Sequence, residues 1–224
     1  MGSGLMEWCE VGGVEWLETS LPGARVVFST RSAGSIKESH WRLADALDVS
    51  AKRIVSGRQV HSAKLAFHDA ITTEASTADG HVMLRPGPIG VVYTADCLPV
   101  AVAGPGGVAM LHCGWRGLAA GIVLRGVDAV GATHAAIGPG IGPCCYEVGD
   151  EVLNAFAGLR DGISSGAMLD LPEVARQLLR RAGVERIASE DICTRCEPEL
   201  FFSHRRDGGP GRQGGLAWLE EQGG

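Results

Sequence analysis

Between residues 81 and 112 the chain carries four short segments that are apolar at nearly every position: HVML (81–84), VVYT (91–94), PVAVA (99–103) and VAMLH (108–112). Proline and glycine turns separate them. Short apolar runs without alternation belong to strands covered on both faces. The segments therefore predict a sheet buried within the molecule. Gly104-Pro105-Gly106 is too short for a helical crossover and joins its neighbours as an antiparallel hairpin. The whole stretch from Ile89 to Cys113 contains Asp96, Pro99 and several glycines. It reads as strands and turns, not a membrane span.

The flanking sequence predicts further elements. RVVFST (25–30) is a strand ending at Arg31, HWRLADALD (40–48) is a helix, and residues 53–68 hold one or two strands around GRQVHSAKLAFH. Residues 115–130 place Leu118, Ile122, Val123 and Val127 at helical spacing. THAAI (133–137) returns as a strand and leads into GPGIGPCCYEVG. Helices follow at 149–158 and 171–182, the second opening at Pro172. Residues 187–206 are irregular, and LAWLEE near the C-terminus reads as a last edge strand. With neither repeat nor linker, residues 1–224 form one α+β domain of mixed or antiparallel sheets flanked by helices.

Composition narrows the function. The 33 glycines in 224 residues are about twice the usual ~7%, yet there is no Gly-x-y period and 45% of residues are hydrophobic. Collagenous and disordered classes are excluded, and the excess marks tight turns and close backbone approaches. A net charge of −6 argues against a nucleic-acid binder. MGSGLMEWCE has no basic segment followed by an apolar one, so no signal peptide is read. Seven cysteines, an odd number, point to a reducing compartment, the cytoplasm.

Three residues stand at predicted strand ends: His61 in RQVHS, Cys97 in TADCLP and His112 in LHCGWRG. Two imidazoles and a thiolate suit zinc, and three protein ligands leave a fourth position open, as in catalytic sites. The residues alone equally allow a cysteine packed as a small hydrophobe and two histidines satisfied by backbone hydrogen bonds. Gln59 shares a strand face with His61 and is placed to bind substrate. Asp79 and Asp96 are carboxylates able to bind substrate, orient a ligand histidine or move protons. Arg31, Arg58, Arg116, Arg205, Arg206 and Arg212 lie in or beside glycine-rich turns and are candidates for an anion pocket. Arg31 and Arg116 are favoured, because one ends a strand and the other lies four residues past His112 at a helix start. His40, His68 and His134 read as ordinary or solvent-facing.

Cys193-Thr-Arg-Cys196 is a single C-x-x-C. A closed zinc site needs two more ligands, and Cys144 and Cys145 are the obvious cysteine donors. Because those two are adjacent in sequence, a shared ion is not the favoured reading.

QVH, TADCLPV, H-x-GWRG, IGPGIGPCCYEVGDEV, CT and FFSHRRDGGPGR occur in this order across residues 28–218. The set resembles the YfiH-type laccase-domain family, whose bacterial members are also called polyphenol oxidoreductases and purine nucleoside phosphorylase-like proteins. The resemblance implies a fold of the cysteine-hydrolase type and a zinc ion held by His61, Cys97 and His112. It also implies activity on purine nucleosides: phosphorolysis of adenosine, inosine or guanosine with phosphate as co-substrate, or adenosine deamination. Two alternatives come with it, copper-dependent polyphenol oxidation and a Cys–His hydrolase acting on peptidoglycan precursors. A complete four-copper cluster is excluded, since none of the seven histidines forms a His-x-His pair. Three positions depart from the family pattern: His81 within Ala78-Asp79-Gly80-His81-Val82, Cys113 beside His112, and His204 before Arg205. Strand alternation turns Cys113 away from His112 and into the core. His81 either adds a metal contact or reshapes the pocket.

Overall fold

The unbroken apolar runs are strands buried between layers, as their pattern demands. The computed structural model describes residues 6–72, 76–159 and 161–221. The first five residues, which belong to the N-terminal reading, lie outside it. One six-stranded sheet contains β1 (Glu7–Val11), β2 (Val14–Leu21), β3 (Ala24–Ser29), β4 (Ile54–Val55), β7 (Ile89–Thr94) and β14 (Gln213–Leu219), in the order β1-β2-β3-β14-β7-β4. The other contains β5 (Leu65–His68), β6 (Gly80–Met83), β8 (Leu98–Gly104), β9 (Gly107–Cys113), β10 (His134–Ile137) and β13 (Arg186–Ser189), in the order β13-β10-β8-β9-β6-β5. Both sheets are mixed: β4–β7, β5–β6 and β10–β13 are parallel, and the remaining pairs are antiparallel. A two-residue ribbon, β11 (Ser164–Ser165) with β12 (Met168–Leu169), stands apart.

Helices close the outer faces. Helix α1 (Ile36–Ala46) covers the first sheet through Ile36 and Leu43, which pack with Val27, Ile89, Val91 and Leu216. Helices α3 (Ile122–Val130) and α5 (Leu171–Arg181) cover the second through Ile122, Val127, Val174 and Leu179 against Val100, Val102, Ala109 and Leu111. Between the sheets lie Phe28, Val92, Ala101, Met110 and Ala217. Alternation thus sends Val100 and Val102 to the helix layer and Ala101 and Ala103 to the sheet layer. Pro105 and Gly106 close the expected β8–β9 hairpin, with Gly104 opposite Gly107.

Three expectations change. The helix read over 115–130 is two, α2 (Trp115–Ala119) and α3, because Gly121 adopts a left-handed φ of 85° and turns the chain between them. β14 lies inside its sheet, between β3 and β7. A strand with glycine at 214 and 215 looks weak in isolation, but Gly215 is what lets the sheets approach. A Cβ there would lie 2.4 Å from Pro99 Cβ. Residues 187–206 are also not wholly irregular, since β13 and α6 (His204–Asp207) overlap their two ends. The structure adds a β1–β2 hairpin, whose local signal is Gly12-Gly13 between two short runs that each carry Val and Trp. The remaining short helix, α4 (Asp150–Ala155), lies within its predicted span.

Gly215→Ala should destabilise the fold by about 1–3 kcal/mol through overpacking. Gly158→Ala, where nothing lies within 4 Å, should be close to neutral. Urea denaturation of the pair checks this, and equal midpoints would mean the sheets tolerate a wider spacing.

Candidate metal centre

The β8–β9 register sets Pro99 opposite His112 and Leu98 opposite Cys113. Leu98 and Cys113 both join the helix-facing core, so His112 emerges on the other side, at the open end of the inter-sheet layer. Cys97 immediately precedes β8, and His61 arrives on the loop between β4 and β5. One ligand atom from each of His61, Cys97 and His112 lies within 4.8 Å of the others. Gly114 makes room for them, since a Cβ there would sit 2.8 Å from Cys97 Sγ and 3.1 Å from His61 Cδ2.

A single buried carboxylate positions both histidines. Asp79 is fully buried. It accepts hydrogen bonds from the backbone N–H groups of Val60 (3.1 Å), His61 (2.9 Å) and Ser62 (2.8 Å), and from Ser62 Oγ at 2.7 Å. It also accepts one from His112 Nδ1 at 3.0 Å. Three successive N–H groups on one anion require a curled backbone, and His61 sits at the left-handed φ of 57°. Because Nδ1 of His112 is committed to Asp79, Nε2 is the nitrogen available to a metal.

Burial by itself would raise the Asp79 carboxyl, but its hydrogen bonds from His112, Ser62 and Val60 hold it well below the usual range. Burial would lower His112, yet Asp79 and the Cys97 sulfur raise it to about 9. Burial would raise the Cys97 thiol, and the hydrogen bonds and charge of His112 and His61 bring it down to about 6. At neutral pH Cys97 is therefore poised as a thiolate beside a protonated His112, which is the protonation a metal needs from its sulfur ligand, and His112 would give up its Nε2 proton on binding the ion.

His61, Cys97 and His112 open onto a cleft of about 690 Å³. Four cationic residues line it, Lys37, Arg58, Arg205 and Arg212, together with Tyr93, Tyr146, Asp96 and His204. Among the described residues, the side chains of Lys37 and Arg58 make no hydrogen bond or ion pair, while Arg212 holds the Gly209 and Gly211 carbonyls. Arg205 lies over the Tyr146 ring, 5.3 Å from its centre.

The other singled-out residues fall as follows. Gln59 lines the cleft, but its amide donates to Tyr93 O and accepts from Tyr93 N, so both polar ends tie the loop to β7. Asp79 acts on the ligands from beneath and does not line the cleft. Arg31 stacks on Phe202 and donates to the Pro198 carbonyl, bracing the 198–207 segment outside the cleft lining. Arg116 stacks on Trp115, also outside that lining. The cleft thus presents Arg58, Arg205 and Arg212 in place of the favoured Arg31 and Arg116. Nothing local in the sequence separates these arginines, because the cleft is assembled from remote loops. Asp96, at a φ of 89°, accepts from Thr194 Oγ1 and from the Arg205 backbone N–H. Cys113 is fully buried in the helix-facing core, as alternation requires. His81 turns to His68, with 3.0 Å between their ring nitrogens, and joins no metal cluster among the described residues. His68 is thereby buried, so of its two readings, ordinary or solvent-facing, the second does not hold.

Comparison with known proteins adds a second line of observation. A family model described as multi-copper polyphenol oxidoreductase laccase matches residues 29–220. The chain is similar to the purine nucleoside phosphorylase YfiH of Shigella flexneri, 37% identical over 198 residues, covering 82% of this chain and 81% of the relative. A purine nucleoside phosphorylase of Xylella fastidiosa is 37% identical over 183 residues, covering 72% and 70%. The crystal structure of the hypothetical protein YfiH of Bacillus licheniformis superposes with a TM-score of 0.83 at 27% identity, covering 95% of this chain and 99% of the other.

Two outcomes are expected. Asp79→Asn removes acceptor capacity facing five donors, and should weaken metal affinity about 10–100-fold in competition with a chelator; an unchanged affinity would remove Asp79 from its positioning role. In metal-free protein, alkylation of Cys97 by iodoacetamide should stay fast as pH falls to about 6 and slow below it, as the thiolate takes up its proton. A half-maximal rate near the ordinary thiol pKa of about 8.5 would refute the thiolate.

Proposed function

The chain belongs to the YfiH-type laccase-domain family, and from that premise we propose that it is a zinc-dependent enzyme that cleaves purine nucleosides by phosphorolysis, with adenosine, inosine or guanosine as substrate. The observation that carries this reading is the convergence of two imidazoles and a thiolate at the base of an open cleft lined by cations. Relatives named purine nucleoside phosphorylase support it.

The donor set fits zinc. Cys97 supplies a thiolate at neutral pH, His112 presents Nε2 because Asp79 holds Nδ1, and Gly114 leaves the space a side chain would fill. His61, Cys97 and His112 would hold the ion, which supplies charge stabilisation and a template for the reacting groups. Lys37 and Arg58, free of protein partners among the described residues, bind the phosphate, with Arg205 and Arg212 adding positive charge around it. Tyr93 and Tyr146 offer aromatic surface to the base. A phosphate oxygen attacks the ribose C1′ while the bond to the purine nitrogen breaks. The electron pair leaves with the base, which takes up a proton.

A copper-dependent phenol oxidase is the second reading. It rests on the family description and on the preference of such N/S sites for Cu²⁺ over Zn²⁺. Adenosine deamination at the same centre releases no free base, and a metal-free hydrolase with Cys97 as nucleophile and His112 or His61 as base needs no zinc, so base release and elemental analysis separate both from phosphorolysis.

Purified protein should release free base from adenosine or inosine only when phosphate is present, and His112→Ala should lower kcat/KM by about 100-fold or more. Release that ignores phosphate, or that survives His112→Ala, overturns phosphorolysis here. Arg58→Ala should raise KM for phosphate more than for nucleoside.

A further inference from the structure

A second cluster of thiols lies beside the segment that carries Ile141 and Tyr146 into the cleft lining. The Sγ atoms of Cys144, Cys145, Cys193 and Cys196 all lie within 4.8 Å of one another, in a group separate from His61, Cys97 and His112. Cys196 Sγ is 3.6 Å from Cys144 Sγ and 3.5 Å from Cys145 Sγ. All four are free thiols. A disulfide would bring two sulfurs to about 2.05 Å. Four thiolates around zinc at about 2.3 Å stand roughly 3.8 Å apart at the corners of a tetrahedron. The observed spacing is that of a cage.

Local backbone explains how adjacent cysteines share it. Residues 143–145 form a turn in which the N–H groups of Cys145 and Tyr146 both donate to the Gly142 carbonyl, at 3.0 and 3.1 Å. Side chains that point to opposite faces in a strand converge in such a turn. The C-x-x-C is a matching turn, with Cys196 N and Glu197 N donating to the Cys193 carbonyl at 3.1 and 3.2 Å. Gly142 N donates to Cys193 Sγ at 3.3 Å, the kind of outer hydrogen bond that steadies a thiolate ligand. Two turns, each presenting two sulfurs, are bridged by the backbone bond from Thr194 N to Gly140 O.

We propose that Cys144, Cys145, Cys193 and Cys196 form a second metal centre, a closed four-thiolate site for a zinc-class divalent ion that clamps the cleft wall. Four protein ligands leave no open position, so the ion's role is structural. What it secures is visible in the neighbouring bonds. Thr194, inside the C-x-x-C, donates from Oγ1 to Asp96 at 2.8 Å, and Ile141 N donates to the Asp96 carbonyl at 2.8 Å. Tyr146 follows Cys145 directly into the cleft lining. The clamp therefore holds Asp96 and Tyr146 in place, and it stands independently of the reaction proposed above.

Elemental analysis of untagged protein, purified without a metal column from zinc-supplied cells, tests it. Wild type should carry about two zinc ions per chain and Cys97→Ala about one. In Cys97→Ala protein the remaining ion should accept replacement by Co²⁺, with the thiolate-to-cobalt charge-transfer absorption of a four-sulfur site. It should also shield Cys144, Cys145, Cys193 and Cys196 from alkylation until a chelator is added. Cys196→Ser should lose this ion and keep the one bound by His61, Cys97 and His112. Should Cys196→Ser fail to fold, the Cys97→Ala protein decides alone. Cys97→Ala protein without metal, or with these four cysteines joined in disulfides, overturns the proposal. Loss of the ion at His61, Cys97 and His112 alone would instead count against the nucleoside reading.

Discussion

The hydrogen bonds that converge on Asp79 fix the geometry of the site. A buried carboxylate without partners is costly, and here five donors from Val60, His61, Ser62 and His112 compensate it. The same bonds join a loop to a strand of the second sheet. His61 in a left-handed conformation has little intrinsic preference for its place, so the anion beneath it supplies the restraint. Two of the three ligands are thus set by one side chain that never reaches the cleft.

Asp79 can do this only because the layers hold its strand end still. Its backbone carbonyl accepts from His112 N at 2.7 Å, so the carboxylate and the histidine it orients are also tied through the main chain. The β8–β9 hairpin fixes His112 and Cys97 relative to each other, and close packing at Gly215 seats that hairpin on the first sheet. Glycine serves the site in a second way at Gly114, where the missing side chain leaves the gap in which two ligands meet. The glycine excess is therefore concerned as much with close approach between layers and ligands as with turns.

Charge is organised locally against the overall balance. A chain with net charge −6 gathers Lys37, Arg58, Arg205 and Arg212 around one opening. Beneath them Cys97 and His112 sit as a thiolate beside a protonated imidazole, the thiol lowered by His112 and His61 and the imidazole raised by Asp79 and Cys97. Arg31 and Arg206 lie near in sequence to the cleft residues but are spent on the protein: Arg206 donates to the carbonyls of Thr194, Arg195 and Phe201.

Much was legible in the chain itself. Unbroken apolar runs identify strands buried on both faces, Pro105-Gly106 a hairpin, and alternation the inward turn of Cys113, because each depends on neighbours one or two residues away. The ligand types at His61, Cys97 and His112 were also readable. Tertiary structure alone decided that Asp79 orients both histidines, that Arg58 and Arg205 line the cleft while Arg31 and Arg116 do not, and that β14 lies between β3 and β7. It also brought Cys144 and Cys145 to Cys193 and Cys196 across 47 intervening residues. Such outcomes depend on which remote segments pack together, and local pattern carries no record of that. Adjacent cysteines look incompatible with one ion until the backbone between them is seen to turn.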